Sequence, residues 1–394
     1  MMQQPVKKGV VEFKEQAYAV DTQTPTISDE AIAAAQKLVG WDYRGARITV
    51  EVTRDAIRDF CNYMGSRNPL FLDEGYARQT CWGGIIAPPA MVGTAIIAPG
   101  LRAIQWIYAG TEWEFFQVMR PGDVIATRGR YLGGEEKRGG TVSRMYLQKG
   151  ETLCTNQRGE QVARATCYCM RTPRRGAEGG MGYKARLHHW TDEELKEIEA
   201  AQDAEKVRGA ELRYWEDVTV GEEMPPVVYG PLRTVDIALT GSFTDSGAGS
   251  GEGVAHSGAH VYQLLSRRRH PADTYVDPAT GTQDHPHRGH WEEFMAKEVG
   301  MPGVYDVGPH RLSWLCRYIT DWMGDDAFLK KLGGFLRRPN VVSDVTWMRG
   351  KVEKKWREKG EPLVQCQLRG ENQLGEVSMP GFAVVRLPSR SLLP

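Results

Sequence analysis

Apolar residues in the stretch from Gly308 to Met323 recur at helical spacing, with Leu312, Leu315, Ile319 and Trp322 three or four residues apart and Gly324 directly after. That pattern predicts a helix with one buried face and a glycine stop. Ser28-Asp29-Glu30 predicts another helix start, a serine cap followed by acids, running through Ile32, Ala35 and Leu38 to Gly40. Residues 53–64 read as a third helix, 65–69 as a loop and 73–79 as a short helical turn. From Tyr108 the period changes. Residues 112–116, 124–131, 143–149 and 161–171 read as antiparallel strands between glycine-containing turns. Residues 172–182, rich in Pro, Arg and Gly, mark a boundary, and Thr191 to Glu194 forms a capping box opening a charged, solvated connector helix. The scheme then returns: a strand at 227–229, a helix from Thr234 to about Ser242, the 308–323 helix, and strands at 344–354, 363–369 and 379–387.

Short echoes tie the two passages together. Asn156-Gln157-Arg158-Gly159-Glu160 returns as Asn372-Gln373-Leu374-Gly375-Glu376, Gly84–Pro89 answers Gly303–Gly308, and Arg120–Val124 answers Val341–Val345, at offsets of 216, 219 and 221 residues. Three echoes in order at nearly constant offset indicate an internal repeat. Each half holds a helix-bearing segment followed by antiparallel strands, an α+β plan in which a curled sheet wraps a helix. The expected divisions are residues 1–175, a linker with its helix over 176–210, and residues 211–394, with an insertion at about 246–287 that the first half lacks.

Composition narrows the partners. With 394 residues, 41% apolar and 25% charged, the chain suits two globular domains. Fifty basic residues balance fifty acidic ones, so no whole-chain field favours nucleic acid or an anionic membrane, and neither is expected as a partner. A small anion would need only a local basic patch. The seven cysteines show no CxxC pairing, Met1 to Gly9 lacks a signal-peptide core, and no run reaches membrane-spanning length. A reducing, cytoplasmic setting is the expectation.

Asn68-Pro69-Leu70-Phe71-Leu72-Asp73 with Gly83–Pro89, and His290-Trp291-Glu292 with Ala296, Gly300–Gly303 and Gly308, resemble the two halves of MaoC-like acyl-CoA hydratases and dehydratases. The turn Arg120–Asp123 is similar to theirs as well. The resemblance implies a double hotdog fold, two long helices each wrapped by an antiparallel sheet. It also implies a hydro-lyase that reversibly hydrates a 2-enoyl-CoA, with no cofactor beyond the coenzyme A carried by the substrate. Water must lose a proton as it attacks the β-carbon while the α-carbon gains one, work for a carboxylate and an imidazole sharing one water. The thioester oxygen becomes enolate-like and needs a fixed N–H, for which a helix start serves.

In the family pattern D-x-N-P-x-H, a donor glycine follows the histidine by about eighteen residues. His290 and Gly308 keep that spacing. The carboxylate is Asp245, if the insertion separates the pair, or Asp284; His285 occupies the strict position. In the first half the three places hold Ser66, Phe71 and Pro89, and proline has no N–H, so that half reads as a substrate cradle. Arg337 and Arg338 are candidates for the coenzyme A phosphates, and Trp314 and Tyr305 for further substrate contacts. The histidines at 256, 260, 285, 287 and 290 lack a zinc-motif frame, so no metal is expected, and the glycine-rich run 247–253 lacks the Lys-Ser/Thr ending of a phosphate loop. The insertion suggests a bulky acyl group, and a homodimer is expected. A thioesterase on the same fold, or a non-catalytic acyl-CoA-binding partner subunit, are the alternatives.

Overall fold

The computed structural model describes residues 27–40, 42–43, 49–93, 101, 104–139, 142–172, 187–237, 275–281, 283–284 and 286–392. In chain order the first half places α1 (Asp29–Gln36), β1 (Asp42–Tyr43), β2 (Thr49–Glu51), α2 (Arg54–Met64), α3 (Pro69–Leu72) and α4 (Glu74–Ala77), then β3 (Gln105–Phe115), β4 (Val124–Gly139), β5 (Val142–Thr155) and β6 (Gln161–Thr172). After α5 (Asp192–Asp203) come β7 (Glu223–Tyr229), a small hairpin of β8 (Tyr275–Val276) and β9 (Gln283–Asp284), α6 (Glu293–Glu298) and α7 (Gly308–Met323). The strands β10 (Phe328–Phe335), β11 (Thr346–Glu358), β12 (Glu361–Asn372) and β13 (Val377–Arg386) close the chain.

All strands but the hairpin join one eleven-stranded sheet whose order, β4-β5-β6-β3-β10-β13-β12-β11, reads as a mirrored repeat about its middle. The seam is the antiparallel pair β3–β10, with Glu114 opposite Lys331 and Gly110 opposite Phe335. Gly110 has a φ of +145°, and a Cβ there would lie 2.3 Å from the Gly334 carbonyl oxygen, so the seam closes only on glycine.

β10 was not legible as a strand. Lys330 and Lys331 break its alternation, and the register against β13 shifts between Leu329 and Lys331. The lysines are held by Glu361 at 3.1 Å and Glu114 at 3.7 Å. β4 and β5 outrun their apolar cores for the same reason: Glu135 and Glu136 meet Lys137, Lys149 and Arg144 within or across the pair.

The register also locates the extra residues. Ala126 faces Thr155 and Trp347 faces Glu371, each partner standing directly before the repeated Asn, so β4 and β11 are equivalent at an offset of 221. Their outer neighbours pair Ile125 with Val50 and Thr346 with Tyr229, an offset of only 179. About 40 additional residues therefore lie in the second half after β7 and before α7.

Core packing follows α7. Residues Arg311 to Met323 are all buried, and Leu312, Leu315, Cys316 and Ile319 are fully inaccessible. The apolar face of α2 (Ile57, Cys61, Met64) belongs to the same continuous core. The buried charge of Arg317 is met by two carboxylates, Glu205 and Asp321, and its guanidinium lies 5.3 Å from the Tyr229 ring. The helix expected as a solvated connector, α5, is exposed along most of its length and packs through one buried residue, Ile198, against Val228 and Val345. The first-half counterpart of α7 starts as a 3-10 turn over Pro89–Val92, and residues 94–100 lie outside the described part, so one long core helix is seen among the described residues. None of their helices is long and apolar enough to cross a membrane.

Candidate active site

His290 ends a 3-10 turn, Pro286–His290, that precedes α6. The turn is fastened from both sides through Arg288, which pairs with Asp277 of the hairpin at 2.9 Å and with Glu292. The His290 imidazole lies tilted against the Tyr305 ring, with centroids 4.1 Å apart, and its Nδ1 lies 2.9 Å from the Tyr305 carbonyl oxygen. A carbonyl only accepts, so Nδ1 donates, and Nε2 is the nitrogen through which the ring gains or loses its exchangeable proton.

Tyr305 leads directly into the start of α7. The Asp306 N–H donates to the Asn340 carbonyl at 2.9 Å, and the Asn340 N–H returns a bond to Asp306 Oδ1 at 3.2 Å. Asp306 Oδ2 meets Arg311 Nε at 2.6 Å, both side chains almost wholly buried, and Arg311 Nη1 donates to the Arg338 carbonyl at 2.7 Å. Burial pushes the Asp306 carboxyl up to about 6 although the Arg311 guanidinium pulls the other way. This clamp fixes the segment between the His290 partner and Gly308.

Gly308 is the first residue of α7, and Val307 caps the helix without a side-chain bond. Pro309 has no N–H, and the His310 N–H turns back to the Val307 carbonyl at 3.0 Å, which leaves the Gly308 N–H as the donor at the helix start. A Cβ at Gly308 would lie 2.5 Å from Leu336 Cδ1 and 2.6 Å from Tyr108 Cδ1. Glycine is required there by packing alone. Tyr108 comes from the first half, its hydroxyl 2.5 Å from Thr111 Oγ1.

The other candidates scatter. Trp314 is 1% exposed, stacked 4.4 Å from Tyr229 and edge-on to His310; that burial makes it core packing instead of an open substrate contact. Arg337 and Arg338 directly follow Leu336, with the Arg337 N–H donated to Ser378 and the Arg338 guanidinium 3.2 Å from Glu376. Asp284 is placed only by its backbone, opposite Tyr275 in the hairpin. Asp245 lies outside the described residues. At the equivalent place in the first half, Phe71 and Ser66 are buried, and Phe71, Pro89, Phe115 and Leu329 line a cavity of about 30 Å³.

A family profile described as "FAS1-like, dehydratase domain region" matches residues 37–165. Among solved structures, a MaoC-like dehydratase aligns over 90% of this chain and 100% of its own, with a TM-score of 0.61 at 15% identity. A MaoC domain protein dehydratase from Chloroflexus aurantiacus J-10-fl covers 89% of this chain and 96% of its own (TM-score 0.54, 12% identity). A conserved hypothetical protein from Mycobacterium tuberculosis, described as a double hotdog fold, covers the same shares at 0.51 and 11%. The chain has the double hotdog fold of the MaoC-like dehydratases.

A UPF0336 protein from Thermobifida fusca (strain YX) is 28% identical over 88 residues, so the matched stretch spans 58% of that relative and 20% of this chain. The family profile falls on the first hotdog, the half without the histidine and the donor glycine. Sequence reasoning missed Asp306, Arg311, His310 and Tyr108. The first three stand within three residues of Gly308 and were readable as polar residues on or just before an apolar helix; nothing in the chain signals that Tyr108 reaches across to the second hotdog.

Proposed function

We propose that this double hotdog chain is a hydro-lyase that adds water to a 2-enoyl thioester of coenzyme A and removes it from the 3-hydroxyacyl product. The observation that carries the reading is the Nδ1 bond of His290 to the Tyr305 carbonyl, three residues before the glycine that opens α7. His290 Nε2 takes a proton from water as the water oxygen bonds to the β-carbon. The alkene electron pair moves toward the thioester oxygen, where the Gly308 N–H and the α7 dipole hold the developing charge. The α-carbon then takes a proton back from the protonated His290–Asp245 pair, the electron pair returns from the oxygen, and the thioester and the neutral site are restored. Asp245 serves as the carboxylate partner: counted at the offset of 179 that β2 and β7 keep, it is the position of Ser66 in the first half, with the additional residues following it. Arg337 and Arg338, just past the Leu336 that touches Gly308, receive the coenzyme A phosphates, and the additional residues shape the pocket for a bulky acyl group.

The test is a panel of enoyl- and 3-hydroxyacyl-CoAs followed by the conjugated thioester absorbance, with a thiol reagent in parallel. Absorbance change without thiol release, lost in His290→Ala, is expected. Thiol release would replace the reading with a thioesterase, and binding without turnover would make the chain a carrier or partner subunit.

A further inference from the structure

The first hotdog does more at the candidate site than border it. The last carbonyls of α2 have no partner inside their helix. The N–H groups of Gly65 and Ser66 turn back to Asn62 and Cys61, which leaves the Tyr63 and Met64 carbonyls to be met from elsewhere. Both are met from the second hotdog. Tyr229 Oη donates to the Met64 carbonyl at 3.0 Å, and His310 Nε2 lies 2.7 Å from the Tyr63 carbonyl. The His310 ring is held between Tyr63, at 4.6 Å, and Trp314, at 4.8 Å.

His310 stands two residues after Gly308, in the same first turn. That turn has no side-chain cap of its own and contains a proline, so its orientation is held from outside the helix, by the Arg311 clamp within the second hotdog and by His310 against the first. At the repeat offset of 219 the first-half counterpart of His310 is Met91, a buried apolar side chain, beside Pro89 where the donor glycine would be. The polar anchor and the donor N–H therefore occur together in one hotdog and are absent together from the other.

We infer that His310 is a positioning residue for the Gly308 donor: it fastens the first turn of α7 to the C-terminal end of α2, so that the hotdog without the catalytic set fixes the geometry of the one that has it. The inference rests on the proposed function for its catalytic consequence, and on the hydrogen bond alone for its structural one.

Three proteins test it: the wild type, His310→Met, which installs the first hotdog's own solution, and His310→Gln, whose amide can still donate to Tyr63. A displaced oxyanion donor costs turnover more than binding, so His310→Met is expected to lose about 10- to 100-fold in kcat with KM changed less than about twofold. His310→Gln should recover to within about threefold of the wild type. A folded His310→Met protein with wild-type kcat would overturn the inference. Two readouts need no substrate. Nitrogen-15 spectra of the wild type should show His310 as the Nε2–H tautomer, and an Nδ1–H tautomer sinks the anchor whatever the turnover. Amide exchange over residues 310–314 should quicken in His310→Met and return toward wild type in His310→Gln; unchanged exchange also sinks it. A wild type inert toward every thioester would remove the proposed function while these two readouts still decide the anchor.

Discussion

The two hotdogs share their scaffold and differ in what they place at one turn. In the first, Asp123 Oδ2 accepts the Arg120 N–H and Gln157 bonds the Val124 N–H and the Gly122 carbonyl. In the second, Asp344 Oδ2 accepts the Val341 N–H and Gln373 bonds the Val345 N–H and Asp344. Against that constancy, Phe71 stands for His290, Pro89 for Gly308, Ala87 for Asp306, Val92 for Arg311 and Met91 for His310. Every substitution goes from polar or backbone-donating to apolar or donor-free. The repeat has kept what folds the sheet and separated out what could do chemistry.

The sharpest way to break this comparison is to treat equivalent positions alike. His290→Ala should lower hydration by about 10³-fold or more, the range of a lost general acid–base group, with the melting temperature little changed. Phe71→Ala should do the reverse, leaving kcat nearly intact while a buried aromatic is lost at about 3–5 kcal/mol, read by denaturant unfolding. If Phe71→Ala abolished turnover and His290→Ala did not, the chemistry would belong to the first hotdog.

Gly308 and Pro89 make the next pair. Gly308→Ala drives a methyl toward Tyr108 and Leu336 and should lower kcat about 10²-fold with a loss of stability. Pro89→Ala restores an N–H to the first hotdog, but with Phe71 beside it no new activity should appear in the thioester assay.

The clamp offers a test by exchange. Asp306→Ala alone leaves the Arg311 guanidinium buried without its carboxylate and should cost about 3–5 kcal/mol in chemical denaturation. Adding Arg311→Val copies the Ala87 and Val92 of the first hotdog and should recover part of that loss. A double variant no better than the single would show that the charge pair has no simple apolar equivalent in this context.

How much of this was legible in the chain depends on whether a residue's role was local. Thr53 and Thr191 cap the helices they precede, and Gly308 and Gly324 bound α7 where apolar spacing places it, because capping and amphipathic period act within a few residues. The Asn156 and Asn372 turns echo for the same reason. β10 was hidden because its lysines are paid for by Glu361 and Glu114 on neighbouring strands, and the one buried contact of the largely solvated α5 was hidden because the partners of Ile198 lie on β7 and at Val345. At the site, the spacing of His290 and Gly308 was local and readable. That Tyr63 reaches His310 and Tyr108 lies against Gly308 from the other hotdog is a property of how the two halves pack.

His310 gives a smaller, pH-dependent effect. Burial lowers its pKa from 6.5 to about 4 in the folded chain. Between those values the unfolded chain binds the proton first, so stability is complete above pH 6.5 and falls as pH drops toward 4, by at most about 3 kcal/mol and less for a ring that is partly exposed. Asp306 acts with the opposite sign, since its raised pKa lets the folded chain take the proton first between about 6 and 4. The two partly offset each other in the wild type. The difference in unfolding free energy between wild type and His310→Met isolates the histidine and should shift against the wild type as pH falls; a difference flat from pH 7 to 4.5 would mean the ring is not held neutral.

The smallest effect is the one that should be equal on both sides. Gln157→Ala and Gln373→Ala each remove a side chain that bonds the N–H of the residue following the aspartate and returns a bond to the aspartate turn. Neither glutamine touches His290 or Gly308, and each variant should cost about 1–2 kcal/mol in unfolding with kcat unchanged. The N–H left behind is more accessible to water at Val124 than at Val345, which is fully buried, so the second variant should sit at the upper end of that range. Equal scaffolding with unequal chemistry requires this near-parity. A several-fold larger loss for Gln373→Ala, or any loss of kcat with it, would mean that the second hotdog has tied its scaffold to its site, and the separation between folding residues and working residues would no longer hold.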